Sequence, residues 1–151
     1  MINMFQRLLM VCTGNICRSP MAEGLFKFAL KDFNIQIQSA GLHALVDKPA
    51  VTDAQIVSQQ HGIDISAHRA RQLSAKFISE AELILVMENW QKEETLNQYP
   101  ESRGKVFLLG HWDNFEIYDP YQEDFPAFEN AFSMIQKGFE GWNKKLCWLS
   151  Q

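Results

Sequence analysis

Cysteine is scarce in this chain: Cys12, Cys17 and Cys147 are the only three in 151 residues. So small and odd a number excludes a disulfide framework, and no second Cys or His cluster has the spacing of a zinc site. Long apolar runs are missing as well. None approaches the ~20 residues of a membrane-spanning helix, and no charged-then-apolar leader opens the chain. Membrane insertion and export are therefore not expected. Positive charge is not in excess: 14 Lys and Arg face 18 Asp and Glu, for a net charge of −4. A nucleic-acid or anionic-membrane partner gains no support from that balance. Internal repeats, low-complexity tracts and linkers are absent too. What is present is an ordinary globular composition, 46% hydrophobic and 21% charged. The length suits one domain over residues 1–151 with a single core, in a reducing cytoplasm.

The most informative stretch runs from Leu8 to Glu23. Leu8-Leu9-Met10-Val11 is a continuous apolar run that suits the central strand of a parallel sheet. Cys12-Thr13-Gly14-Asn15-Ile16-Cys17-Arg18-Ser19 follows, and then Pro20-Met21-Ala22-Glu23. Gly14 and Asn15 tolerate positive φ, so the loop can curl tightly. Pro20 fits the first turn of a helix, where its missing N–H costs nothing. A loop curled ahead of a helix N-terminus turns backbone N–H groups inward, and the helix dipole adds partial positive charge. Thr13, Gly14, Asn15, Ile16, Cys17 and Arg18 thereby make a cradle for a tetrahedral anion. Arg18 contributes a planar fork able to grip two phosphate oxygens. Cys12 ends the strand at the same spot, where the helix terminus, Arg18 and the Ser19 hydroxyl favour a thiolate. A thiolate at the floor of an anion cradle is placed to attack phosphorus. The plainer reading, two buried structural cysteines, leaves Arg18 beside an apolar strand unexplained. A nucleotide-binding P-loop would need a second glycine and a lysine that are absent.

The rest of the chain alternates strand and helix. A helix is expected from Arg18 to about Phe33, with Met21, Leu25, Phe28 or Ala29, and Phe33 inward and Glu23, Lys27 and Lys31 outward. Ile35–Ser39 alternates as a strand and closes into Ala40-Gly41. A helix opens at Pro49 and runs to about Gln60, ended by His61-Gly62. Ser74 can cap a short helix through Ile78. Ala81–Val86, with its apolar run Leu83–Val86, makes a third strand, Trp90–Tyr99 a helix and Gly104–Gly110 a fourth strand. Phe125 to about Leu149 reads as one long helix with Phe128, Phe132, Ile135, Phe139, Trp142 and Leu146 as its core stripe. The expected class is α/β in three layers. A four-stranded parallel twisted sheet carries helices on both faces, with the phosphate loop between the first strand and first helix. His43 reads as a lone solvated histidine, and Arg69 and Arg71 as solvated or rimming the site.

Cys12-x5-Arg18-Ser19 with Gly14-Asn15 inside, its Ser-Pro-Met-Ala-Glu continuation and the late Asp119-Pro120 together resemble the low-molecular-weight protein tyrosine phosphatase family. The resemblance covers nearly the whole chain. Gly110–Asn114 ahead of Asp119–Tyr121 is similar to its bacterial exopolysaccharide-associated members. The resemblance implies Cys12 as nucleophile, Arg18 as phosphate clamp and Asp119 as general acid, Asp113 and Asp124 being rival acids on the same loop. It implies that Ser39, His68 and Glu88 support the phosphate loop alongside Ser19, His68 by bonding Asn15. Leu45, where many members carry Trp, and Tyr121 would wall the substrate ring. Neither metal nor cofactor is implied. The implied partners are phosphotyrosine proteins, above all an autophosphorylating bacterial tyrosine kinase that controls capsule or exopolysaccharide production.

Three other functions compete. Arsenate reductases need further relay cysteines, and only Cys147 remains. Arginine phosphatases resemble this loop with Thr at the Ile16 position. A phosphate-binding module without catalysis needs no nucleophile. Cys17, close to Cys12 along the chain, could also trap an oxidised Cys12 as a disulfide.

Overall fold

The structure, a computed structural model, describes residues 5–149. Its elements are β1 (Arg7–Cys12), α1 (Arg18–Ala29), β2 (Gln36–Gly41), α2 (Thr52–Gln60), α3 (Ala75–Glu80), β3 (Leu83–Val86), α4 (Asn89–Gln98), β4 (Val106–Leu108) and α5 (Phe125–Leu146). Short 3₁₀ turns stand at Pro100–Ser102 and His111–Asp113. The four strands are all parallel, in the order β2-β1-β3-β4. The apolar run of β1 is therefore central, and every residue after Arg7 is buried.

Period-two alternation along β1 divides the core. Leu8, Met10 and Cys12 face a layer built with Phe26 of α1, Ala54 and Val57 of α2, and Phe128, Phe132 and Ile135 of α5. Leu9 and Val11 face the opposite layer, with Ile78 of α3 and Leu96 of α4. The expected α5 stripe is buried from Phe128 to Trp142. Gly138 lies where that helix crosses the end of β4: a Cβ there would come within 2.7 Å of Leu109 Cγ and 2.9 Å of its carbonyl oxygen. Backbone contact, not helix propensity, sets that glycine.

Several expected boundaries move. The first helix stops at Ala29, not Phe33, and Phe28 is exposed beneath Lys31, whose Nζ lies 5.0 Å from the ring centroid. Phe26 and Leu30 take its place in the core. Glu23, expected outward, is buried. The fourth strand is only three residues long, and the last helix ends at Leu146 with Cys147 left-handed at φ 56°. Trp148 folds back onto Phe26 and Phe139. Among the described residues no helix is long and apolar enough to cross a membrane.

Candidate active site

Residues 12–18 leave β1 at its C-terminal edge and curl into the first turn of α1. The carbonyl oxygens of Cys12 to Cys17 are all held from outside the curl. Leu42 N–H donates to Cys12 O (3.0 Å), His43 N–H to Thr13 O (2.9 Å), Leu45 N–H to Gly14 O (3.0 Å) and Val51 N–H to Ile16 O (2.9 Å). Met21 N–H donates to Cys17 O at 3.2 Å, and His68 Nε2 lies 2.7 Å from Asn15 O. A carbonyl only accepts, so Nε2 carries the proton. In a planar trans peptide the N–H points opposite to the preceding C=O. With the carbonyls turned outward, the N–H groups of residues 13–18 turn inward together. The cradle thus follows from the bonds behind it, and the start of α1 adds its dipole.

Asn15 is the hub. It is fully buried and left-handed at φ 60°. Its Nδ2 donates to Ser19 Oγ at 2.7 Å and Ser39 Oγ at 3.0 Å, and its Oδ1 accepts from Arg71 N–H at 2.8 Å. Ser39 Oγ donates in turn to Glu23, which also pairs with Lys27 at 2.6 Å. Gly41 closes the back: a Cβ there would sit 2.5 Å from Thr13 O. Ser19 Oγ lies 2.9 Å from Cys12 Sγ, so the hub reaches the sulfur in two steps.

Arg18 is 1% exposed. Its Nη1 donates to Glu88 (2.6 Å) and to Ile117 O (2.7 Å), while Nη2 lies 3.4 Å from Thr13 Oγ1. Nε is buried with no partner. A buried N–H left without an acceptor is costly, and the cradle is where an anion would supply one. Asp119 Oδ2 stands 3.6 Å from Arg18 Nη2, its side chain 45% exposed. Residues 111–124, the strap that carries it, leave the end of β4 on the same edge of the sheet. Asp113 packs beside Gly141 and Asp124 precedes α5; neither rival acid lines the pocket.

These groups share one cavity of about 180 Å³, lined by the cradle together with His43, Leu45, Asp119 and Tyr121. Every site residue read from the sequence is here or directly behind it. Leu45 and Tyr121 are exposed walls at 44% and 42%. His43 is not a lone histidine, for it lines the cavity and its Nε2 lies 3.0 Å from Glu94. A wider cleft of about 530 Å³ lies behind the cradle along Lys27, Asp47, Asp64 and Arg69. It holds no thiol. Burial pushes the Cys17 thiol far up, reinforced by the charges of Cys12 and Asp119 and opposed by Arg18. Burial also lowers His68 from its usual 6.5. Among the described residues no group of three or more His, Cys, Asp or Glu side chains is gathered to hold a metal ion.

Sequence reasoning missed Glu23, Gln91 and Gly41. Gln91 is fully buried and donates to Thr13 Oγ1 at 3.1 Å, while its Oε1 accepts from the N–H groups of Met87 and Glu88. Its place three residues after Glu88, in a reciprocal cap of α4, is the signal that was available.

Known proteins similar to this chain include tyrosine phosphatases and, at 30% and 27% identity, YwlE arginine phosphatases. Residues 7–148 match the model of the low molecular weight phosphotyrosine protein phosphatases. The chain is 47% identical to a Ralstonia nicotianae protein named "Probable low molecular weight protein-tyrosine-phosphatase EpsP", over 92% of this chain and 94% of that one. It is similar to the crystal structure of the Erwinia amylovora tyrosine phosphatase amsI, with a TM-score of 0.90, 41% identity and coverage of 95% and 94%. It is also similar to Vibrio vulnificus Wzb in complex with benzylphosphonate, with a TM-score of 0.89, 37% identity and coverage of 94% and 99%.

Proposed function

The chain belongs to the low molecular weight phosphotyrosine protein phosphatase family, and from that premise we propose that it hydrolyses phosphotyrosine on proteins through a cysteinyl phosphate. The observation that carries this reading is the convergence of the Cys12 thiol, the Arg18 guanidinium and the Asp119 carboxyl on one cavity whose backbone amides face inward. The phosphate dianion enters the cradle, its oxygens accepting from those amides and from Arg18 Nε and Nη2. Cys12 Sγ, as thiolate, attacks phosphorus in line. The S–P bond forms, the ester P–O bond breaks, and Asp119 gives its proton to the departing phenolate. A water then attacks phosphorus and yields its proton to the Asp119 carboxylate. The S–P bond breaks, releasing inorganic phosphate and the thiolate. Positive charge for both steps comes from the amides and Arg18, which Glu88 and Ile117 O hold in place.

Leu45 and Tyr121 give the ring two apolar flanks, and the apolar Ile16 at the pocket favours an aryl phosphate over phosphoarginine. The physiological substrate we assign is an autophosphorylating tyrosine kinase of capsule or exopolysaccharide production, met in the cytoplasm where Cys12 stays reduced. Similarity to EpsP and amsI, both named tyrosine phosphatases, supports phosphotyrosine as the class of group removed. Acid-quenched turnover of a phosphotyrosine peptide tests the chemistry, with phosphate expected on Cys12 by mass spectrometry. Unmodified Cys12 during rapid turnover would exclude the covalent route. Phosphoproteins retained by Cys12→Ser, and absent from a Cys12→Ser/Arg18→Ala control, would identify the substrate.

A further inference from the structure

A groove of about 270 Å³ adjoins the phosphate cavity, and Tyr121 lines both. One wall is the start of α2, with Val51 and Asp53, and the other is the end of the strap, with Glu123, backed by Phe128 of α5. Among the described residues, Asp53 and Glu123 are the only charged ones lining it. Both walls come from stretches without positive charge. No Lys or Arg occurs in residues 49–68 or 106–136, and the second stretch carries six acids. The groove is thus electrically opposite to the cavity beside it, where amides and Arg18 gather positive charge.

We propose that this groove is a substrate subsite that takes the side chain of a lysine or arginine flanking the phosphotyrosine. The proposal rests on the phosphotyrosine reading above and names the class of protein segment it selects. A ring seated on Tyr121 leaves its chain at the mouth of the groove. A Lys or Arg there lays its aliphatic stem along Tyr121, Val51 and Phe128 and brings its cationic head to Asp53 and Glu123. An acidic flank meets two like charges at the same place. Phosphate and cation then bind opposite fields side by side, which fixes the direction in which the segment lies.

The test uses one phosphotyrosine peptide with Lys, Gln or Glu beside the phosphotyrosine, on either side, with free phosphotyrosine as reference. The expected order of kcat/KM is Lys above Gln above Glu. The span is about threefold to tenfold at low salt, the scale of exposed charge pairs, and it shrinks at high salt as screening shortens. In Asp53→Asn/Glu123→Gln the span falls to within about twofold, while free phosphotyrosine is turned over as before. Equal kcat/KM for the Lys and Glu peptides in the unaltered protein overturns the subsite, and so does a span that survives in the double variant. Turnover blind to the flank removes the groove alone, whereas failure to hydrolyse free phosphotyrosine removes the reading beneath it as well.

Discussion

Residues 12–18 and residues 111–124 each follow a strand of the same sheet and meet at one cavity, yet their surroundings differ. In the cradle, Cys12, Asn15, Ile16, Cys17 and Arg18 are between 0% and 6% exposed, and each carbonyl from Cys12 to Cys17 has a donor. The strap is anchored by long-range hydrogen bonds only as far as Ile117, whose N–H donates to Met87 O and whose carbonyl accepts from Arg18. Beyond it the hydrogen bonds among the described residues are local, Tyr121 N–H to Asp119 Oδ1 at 3.0 Å and Glu123 N–H to Pro120 O at 2.9 Å, and the long-range tie is the 3.6 Å ion pair of Asp119 with Arg18. Tyr118 is 70% exposed. The contrast matches the two tasks proposed for them. A tetrahedral anion of fixed size rewards donors set before it arrives. A proton donor over a variable protein substrate must admit the phosphotyrosine and release the product, so a segment of low local stability serves it. Changes in the cradle should therefore cost stability and activity together, and changes in the strap activity alone.

Asp119→Asn is the sharpest test of that separation. Turnover of phenyl phosphate should fall by about 10²–10⁴, the usual worth of a general acid, and less with a better leaving group such as p-nitrophenolate. Stability should stay within about 0.5 kcal/mol, as for surface changes away from a packed feature. A large fall in Tm would place the strap inside the cooperative frame. Glu88→Ala acts on the other side. It leaves the Arg18 guanidinium buried without its carboxylate, a loss of up to about 3 kcal/mol given that Glu88 is itself partly exposed. Chemical denaturation and phosphate affinity should both register it. Ser39→Ala comes next: Asn15 Nδ2 keeps Ser19 but loses one acceptor, and Glu23 loses a buried donor, at about 1–3 kcal/mol. An unchanged midpoint with lowered activity would contradict the coupling.

The two regions were also unequally legible in the sequence. Cys12, Gly14, Asn15, Arg18 and Ser19 lie within eight consecutive residues, so local rules for turns, helix starts and anions were enough to draw the cradle. β1 was readable because its apolar run is bounded on one side by that loop. Glu23 was misplaced because Glu and Lys four apart look like a surface pair. What meets Glu23 inside is Ser39, sixteen residues later on β2, whose hydroxyl donates to it, with Arg71 3.6 Å away. Gln91 and Gly41 escaped for the same reason, since each acts on Thr13 from another element. The choice of Asp119 over Asp113 and Asp124 depends on where Ile117 ties the strap, a contact that spacing does not encode.

The weakest expected effect probes the cradle through pH. His68 donates Nε2–H to Asn15 O, and burial holds its pKa below the usual 6.5, against the pull of that bond and of Glu23 and with the help of Arg71 and Lys27. The unfolded chain therefore binds the proton at a higher pH than the folded one. Between the two values the unfolded state carries more protons, so stability rises with pH through that window. The contribution is complete above about 6.5 and is lost as pH falls through the folded value. His68→Gln keeps an N–H donor for Asn15 O without a group that titrates there, and should flatten the acid-side fall in Tm while leaving neutral-pH turnover nearly unchanged. The strap holds no histidine past His111, so Asp119→Asn should leave that slope as it was. An acid slope that persists in His68→Gln would move the proton linkage away from the cradle.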